Sequence, residues 1–166
     1  MSSPTRGPAA SASDRVLPGW LVPTTLVLNL VGLGTSAYLT YEHFTGSTTL
    51  ACPENATVNC AKVTESSWSS LLGIPVAPLG LLFFVAMVAL CLPSVLRRGS
   101  VALDRVRLAL SAVGLGFALY LVWAELFQIH AICLWCTVAH VAAFLLFAAV
   151  LFGQILVEPA DLRSRR

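Results

Sequence analysis

The motif Cys133-Leu134-Trp135-Cys136 stands at the head of an apolar run that continues to Val157. Two cysteines three positions apart lie on one face of a helix, so a disulfide between them closes or opens with little backbone movement. At a helix N-terminus, unpaired N–H groups and the positive end of the helix dipole favour thiolate and lower a cysteine pKa. The motif therefore indicates a redox-active dithiol, while a structural disulfide or a metal site stays open as an alternative.

A second pair, Cys52 and Cys60, lies in the polar stretch between the first two apolar runs. Alone, this pair would be interpreted as a staple of a flexible loop, but two dithiols near one membrane surface can form a relay by thiol–disulfide exchange. Cys52 is placed where a partner protein can reach it, and Cys60 where it can swing toward Cys133. Cys136, one turn deeper, faces the apolar interior, which favours a lipid-soluble electron acceptor such as a quinone. The fifth cysteine, Cys91, is interpreted as a small apolar residue.

A metal site is the main alternative for the last cysteine pair. Cys133, Cys136 and His140 share one helix face and His130 is near, but tetrahedral zinc needs a fourth ligand. A covalent haem site has the pattern Cys-x-x-Cys-His, and Thr137 occupies the histidine position. We therefore expect no metal. The sequence leaves His140 open between a core hydrogen bond and a contact with a bound ring.

Composition places the chain in a membrane. It has 166 residues, of which 57% are hydrophobic and 11% charged, and its mean hydropathy is +0.83; soluble proteins average ~25% charged residues. The net charge of +2 comes without a clustered basic stripe, so we expect no nucleic acid partner. Four apolar runs approach the ~20 residues that cross a bilayer. The predicted fold is an all-α, polytopic membrane four-helix bundle with spans at residues 21–41, 74–96, 108–126 and 133–157.

The segments between the spans complete the prediction. The external loop is predicted at residues 42–73. From Ala61 to Leu72, two series recur every four positions: Val63, Ser67 and Leu71, and Thr64, Trp68 and Leu72. This spacing predicts a short amphipathic helix that caps the bundle, with Trp68 at headgroup level. Glu125, Gln128 and His130 are predicted to form a short outer turn. The predicted domains are a disordered cytoplasmic tail (1–19), the membrane domain (20–157) and a second cytoplasmic tail (158–166).

The distribution of basic residues predicts the orientation. With four spans, nine arginines fall on the side of the two termini, and Lys62 falls on the other side. By the positive-inside rule, both termini are cytoplasmic. The long loop and the head of the fourth span then face outside the cytoplasmic membrane.

Taken in order, these features resemble the vitamin K epoxide reductase family. The resemblance covers about residues 20 to 157 and rests on Cys52, then seven residues, then Cys60-Ala61-Lys62-Val63-Thr64-Glu65-Ser66-Ser67-Trp68, Leu72-Gly73-Ile74-Pro75 and Cys133-Leu134-Trp135-Cys136. It implies a four-helix bundle around a quinone site, capped by a short loop helix. Similar bacterial proteins reoxidise thioredoxin-like disulfide catalysts and pass the electrons to a quinone, menaquinone or ubiquinone. The chain stops at Arg166, so a separate thioredoxin-like (DsbA-like) partner is expected.

The resemblance also implies residue roles. Cys52 and Cys60 match the loop shuttle pair, Cys133 and Cys136 match the active-site pair, and Cys136 is expected against the quinone. The expected quinone-binding residues are Ser66, at the family's loop serine position, Trp68, and His140, which stands where animal members carry a tyrosine. That last difference bears on hydrogen bonding to the ring and on sensitivity to coumarin-type inhibitors.

Two alternatives differ in measurable ways. A DsbB-type quinone reductase is also four-helical, but its two cysteine pairs occur in the reverse order, with Cys-x-x-Cys in the first outer loop. A non-enzymatic membrane bundle or transporter subunit with structural disulfides is the alternative from another class. Structural disulfides typically have reduction potentials below about −300 mV, so redox titration separates the two classes.

Overall fold

The computed structural model describes residues 17–46, 51–52, 55–97 and 100–156. Within these ranges, three helices are long and apolar enough to cross a membrane, and a fourth apolar helix is shorter. The predicted all-α membrane bundle is thereby confirmed. Of the predicted tails, residues 1–16 and 158–166 lie outside the described part of the chain. The helices are α1 (Leu21–Thr45), α2 (Cys60–Thr64), α3 (Val76–Cys91), α4 (Pro93–Leu96), α5 (Val101–Ala124), a wider π-type turn (Glu125–Ile129) and α6 (Leu134–Leu156).

The long helices do not pack equally against one another. Helix α1 packs along both α3 and α6, and α5 packs along α6, whereas α3 and α5 meet over a shorter stretch. The core where they converge is apolar, and Met87 and Leu146 at its centre are fully buried. Because α3 and α5 stay partly apart toward the loop side, the bundle encloses a space between them.

The inner end of α5 differs from the predicted third span. The helix begins at Val101, seven residues before the predicted start at Leu108, so Arg107 lies inside the helix and is buried. Its Nε and Nη2 donate to the Leu90 carbonyl oxygen at 3.1 and 2.9 Å, and its Nη1 pairs with Asp104 at 2.8 Å. Because α3 ends at Cys91, its last carbonyls have no N–H one turn later, and the guanidinium supplies donors instead.

The loop between α1 and α3 contains a shorter helix than predicted. The predicted range from Ala61 to Leu72 is wrong: α2 ends at Thr64, a 3-10 turn follows at Ser67–Ser69, and two short strands pair, β1 (Ser70–Leu71) with β2 (Ile74–Pro75). Serine hydroxyls bond to nearby backbone carbonyls here, which competes with the helix, as in the 2.7 Å bonds of Ser66 and Ser69.

The two strands are joined by a tight turn. Leu72 and Gly73 both have positive φ, 52° and 82°, as a two-residue hairpin turn of the primed type requires. The spacing of apolar residues alone does not predict such a turn. The Leu72 side chain is 96% exposed at its tip.

Candidate active site

Helix α6 begins directly after Cys133, and the Cys133 sulfur acts as its N-terminal cap. The sulfur accepts a hydrogen bond from the Cys136 backbone N–H at 3.2 Å, which is the interaction that a serine or aspartate oxygen makes at such a position. The two thiol sulfurs lie 2.6 Å apart, with Cys136 as donor. Both cysteines are free. A disulfide between them can therefore form without movement of the helix.

The same contacts make Cys133 the more acidic thiol. The hydrogen bond from the Cys136 thiol lowers the pKa of Cys133, against the effect of burial, and the backbone N–H groups of Cys136 and Trp135 act in the same direction. The nearby Glu125 carboxylate raises that pKa by a smaller amount. Of the two thiols, Cys133 is thus the one that gives up its proton more easily, at the positive end of the helix dipole.

Cys52 and Cys60 form a disulfide, with their Cα atoms 6.2 Å apart. Cys52 is half-buried, while Cys60 is fully buried at the first position of α2. Asn59 caps this short helix, because its Oδ1 accepts the Lys62 backbone N–H at 2.8 Å. One end of the disulfide is accordingly open to approach from outside, and the other is held inside the protein.

A short parallel β-bridge brings Cys60 beside Cys133. Val58 pairs with Ile132: the Ile132 N–H donates to the Thr57 carbonyl at 2.9 Å, and the Asn59 N–H donates to the Ile132 carbonyl at 3.1 Å. Cys60 follows one side of this bridge and Cys133 the other. Both cysteines are 0% exposed and belong to one apolar cluster, which Cys52, Trp135 and Cys136 flank. The predicted swing of Cys60 is not needed for this proximity.

A cavity of about 700 Å³ lies between the helices beneath the loop. Most of its wall is apolar, with Phe83 and Phe84 from α3 and Phe117 from α5. Cys136 lines it, so this sulfur is the one that a bound molecule would meet. The cavity size and its apolar wall are those of a site for a small organic molecule.

The structure places all three expected quinone-binding residues on the cavity wall. Ser66 is half-buried, and its hydroxyl donates to the Val63 carbonyl at 2.7 Å. The Trp68 ring lies 5.8 Å edge-on from the Trp123 ring. His140 stands one turn beyond Cys136, and its buried Nδ1 has no hydrogen-bond partner within the described residues. A polar atom in that position is available to a ligand.

Glu125 is a further cavity residue that the sequence prediction missed. Gln128 and His130 are exposed, as expected of an outer turn, but Glu125 is 5% exposed and lines the cavity. Its carboxyl group faces the backbone N–H of Cys133. The sequence feature that could have identified Glu125 is its position as an acidic residue at the end of an apolar run, because ionisable residues inside a membrane usually have a functional role.

Among the described residues, no group of three or more His, Cys, Asp or Glu side chains is arranged to hold a metal ion. The site as built is a set of two cysteine pairs and an apolar cavity. Thiol–disulfide exchange and electron transfer to a molecule in the cavity are the reactions that such an arrangement supports.

Comparison with known families agrees with this chemistry. The model of the vitamin K epoxide reductase family matches residues 23–151, which include both cysteine pairs. This is an oxidoreductase family of membrane proteins that uses quinones and generally works with thioredoxin-like partners. Since the match covers most of the chain, this protein belongs to the vitamin K epoxide reductase family.

Proposed function

We propose that this protein is a membrane thiol:quinone oxidoreductase that reoxidises an extracytoplasmic thioredoxin-like (DsbA-like) protein and thereby supports disulfide bond formation. The observation that carries the proposal is the position of Cys60 beside Cys133, with Cys136 opening into an apolar cavity. Electrons then have a continuous route of sulfur atoms from the half-exposed Cys52 to the cavity.

The relay starts at the external pair. A thiolate of the reduced partner attacks Cys52, so a partner–Cys52 bond forms and the Cys52–Cys60 bond breaks. Cys60 leaves as a thiolate and attacks Cys133 of an oxidised Cys133–Cys136 pair, which releases Cys136 as a thiolate in the cavity. The second thiol of the partner then frees Cys52 and leaves the partner with a disulfide. Two electrons have moved from the partner into the protein.

The Cys52 thiolate then attacks Cys60, so the Cys52–Cys60 bond forms again, the Cys60–Cys133 bond breaks, and Cys133 leaves as a thiolate. Reduction of the quinone follows at the inner pair. The described conformation, with Cys52–Cys60 closed and Cys133 and Cys136 free, corresponds to the state before this step. A quinone, menaquinone or ubiquinone, accepts two electrons and two protons when bound. Cys133 and Cys136 supply both electrons as they close their disulfide, and their two thiol protons balance the reaction.

The lining of the cavity is suited to a quinone. Its wall is largely apolar, as the ring and tail of a quinone require, and the buried Nδ1 of His140 is without a partner one turn from Cys136. We assign to His140 a hydrogen bond with a ring oxygen, and to Ser66 and Trp68 contacts at the loop side. Glu125 carries one of the two protons, because its carboxyl group lies on the cavity wall next to Cys133.

The proposed location is the cytoplasmic membrane, with both termini cytoplasmic and the active site outside. The arginine distribution supports this orientation. Residues 20–157 form the proposed membrane domain, between cytoplasmic tails at 1–19 and 158–166.

Quinone reduction by the purified protein with a dithiol donor tests the proposal. We expect Cys133→Ser and Cys136→Ser to lower turnover to the background rate with every donor. Cys52→Ser and Cys60→Ser should do so only with a thioredoxin-like protein, because a small membrane-permeable dithiol can reduce the inner pair directly.

Cys91→Ala is the matched control. Cys91 is buried in the core of the bundle, away from the loop cluster, so its loss should leave turnover within about twofold while lowering stability by about 1 kcal/mol. Full activity of Cys133→Ser would contradict the proposal. Reduction potentials of both pairs below about −300 mV, with no turnover, would instead support a bundle with structural disulfides.

A further inference from the structure

Two aromatic side chains hold the backbone of Ala51, the residue before Cys52. The Ala51 N–H donates to the Tyr38 hydroxyl oxygen at 3.1 Å, and the Trp135 Nε1–H donates to the Ala51 carbonyl oxygen at 3.0 Å. The Tyr38 and Trp135 rings lie 4.9 Å apart at 58°, in contact with each other. We call the Tyr38 and Trp135 side chains the aromatic clamp. Both backbone groups of Ala51 are thus bound by side chains from α1 and from the active-site motif.

The clamp differs from the attachment of Cys60. Cys60 is itself fully buried, and it directly follows the two backbone hydrogen bonds of the Val58–Ile132 bridge. The two bonds to Ala51 are solvent-exposed and come from side chains. Exposed side-chain hydrogen bonds compete with water and open readily, whereas release of Cys60 would break a backbone bridge and expose a buried residue. Cys52 therefore lies on the releasable side of the disulfide, and Cys60 on the fixed side.

We propose that Tyr38 and Trp135 are positioning residues that return Cys52 to Cys60 after each exchange with the partner protein. The inference rests on the proposed relay. When the partner leaves, Cys52 is a thiol and Cys60 is bonded to Cys133. The Cys52 thiol loses its proton to water, and its thiolate attacks the Cys60 sulfur. The Cys52–Cys60 bond forms, the Cys60–Cys133 bond breaks, and the electron pair leaves on Cys133.

The geometry favours this return in two ways. The clamp confines the residue next to Cys52, which reduces the conformations that the attacking thiolate must search. Once Cys136 has regained a proton, its thiol donates to the departing Cys133 and lowers the pKa of that leaving group, and thiols of lower pKa leave faster. Trp135 lies between Cys133 and Cys136, so the clamp attaches the loop directly to the pair that it serves.

Tyr38→Phe is the test, because it keeps the ring against Trp135 and removes only the hydroxyl oxygen. In the full-length purified protein we expect amide hydrogen exchange at Ala51 to become about fivefold faster, the effect of one lost hydrogen bond. With a reduced thioredoxin-like protein as donor, the fraction trapped as a Cys60–Cys133 disulfide should rise by about the same factor and kcat should fall. Mass spectrometry of non-reduced peptides measures the trapped fraction.

Three comparisons make the test specific. Tyr41→Phe makes the same chemical change on an exposed ring of α1 and should leave both readouts at the wild-type level. A small dithiol that reduces Cys133–Cys136 directly should turn over Tyr38→Phe at the wild-type rate. Cys52→Ser, which cannot complete the return, should show the largest trapped fraction.

Wild-type levels of the trapped disulfide in Tyr38→Phe would overturn the positioning role. Faster exchange at Ala51 without accumulation of the disulfide would also overturn it, since the contact would then be only structural. Failure of the proposed function looks different, because the wild-type protein itself would then not reduce quinone with any dithiol.

Discussion

At the scale of single residues, the two inner cysteines share a motif but have different surroundings. Cys133 is fully buried beside Cys60, and Cys136 lines the cavity. From their order along the helix one expects Cys133 to be the more accessible sulfur, because it is nearer the surface end. The Val58–Ile132 bridge covers Cys133 instead, so it is reached by Cys60 and not by solvent. A small dithiol that enters the cavity therefore meets the inner pair at Cys136 and not at Cys133.

Glu125 provides a prediction at the same scale. Glu125→Gln keeps the shape and the hydrogen-bonding ability of the side chain but cannot carry a proton at neutral pH. We expect the rate of quinone reduction to fall by about 10²- to 10⁴-fold, the usual contribution of a general acid or base. Reduction of the inner pair by a dithiol in the absence of quinone should proceed at the wild-type rate. Rapid mixing with detection of quinol absorbance and of free thiols separates the two steps.

Glu65→Gln is the control for that experiment. Glu65 also lies at the cavity, but its side chain is exposed, so its charge is screened and proton exchange with water does not depend on it. Equal losses in the two variants would indicate a general effect of charge at the loop. A wild-type rate in Glu125→Gln would exclude a proton-carrying role for this carboxyl group.

At the scale of elements, the small residues of α1 fall into two sets. Gly32 and Ser36 are buried, whereas Gly34 and Ala37 are exposed on the outer face. A Cβ atom at Gly32 would overlap the Phe84 ring of α3, and one at Gly34 would have open space around it. The close approach of α1 and α3 therefore depends on Gly32, in agreement with the role of small residues in membrane helix packing.

Gly32 and Gly34 give a matched pair of variants with which to test stability. Gly32→Ala should lower the free energy of unfolding by about 1–3 kcal/mol, because Phe84 must move out of its place in the core. Gly34→Ala should be neutral or stabilising by up to about 1 kcal/mol, since alanine has the higher helix propensity. Thermal unfolding of the purified proteins in detergent, followed by circular dichroism, measures both changes. Equal stability of the two variants would contradict the described α1–α3 contact.

At the scale of the whole molecule, the helical bundle and the loop together form the candidate site. The helices leave a cavity where α3 and α5 stay apart, and this cavity is covered by the loop that also contains Cys52 and Cys60. The two ends of the proposed relay, Cys52 in the loop and Cys136 in the cavity, are thereby joined within one small protein. The proposed relay requires the loop side of the bundle to lie in an oxidising compartment, where disulfides persist.

The orientation can be tested by labelling in intact cells. We expect a single cysteine at Ala56, in a cysteine-free background, to react with a membrane-impermeant maleimide, because this residue is exposed in the loop that we propose to be external. A single cysteine at Ala102, exposed at the opposite end of the bundle, should react only after lysis. The reverse pattern would place the cysteine pairs in the cytoplasm and contradict the proposed function.

Much of this protein follows from the sequence alone, for reasons that are local. Apolar runs of membrane-spanning length identify the helices, since a bilayer leaves few alternatives for a chain. A Cys-x-x-Cys motif before such a run places both thiols at a helix start, where Cys133 is observed to cap α6. The order of the motifs also indicates the family that the comparison found.

The remaining features depend on contacts between residues distant in sequence, and only the tertiary structure decided them. The bridge between Val58 and Ile132, which places Cys60 beside Cys133, joins segments 74 positions apart and has no local pattern. Glu125 is a charged residue that the sequence placed in an exposed outer turn. It is buried because the helix continues past it into a wider turn. The predicted loop helix was too long because serine side chains and the Leu72–Gly73 turn compete with helical hydrogen bonds, which periodicity does not measure.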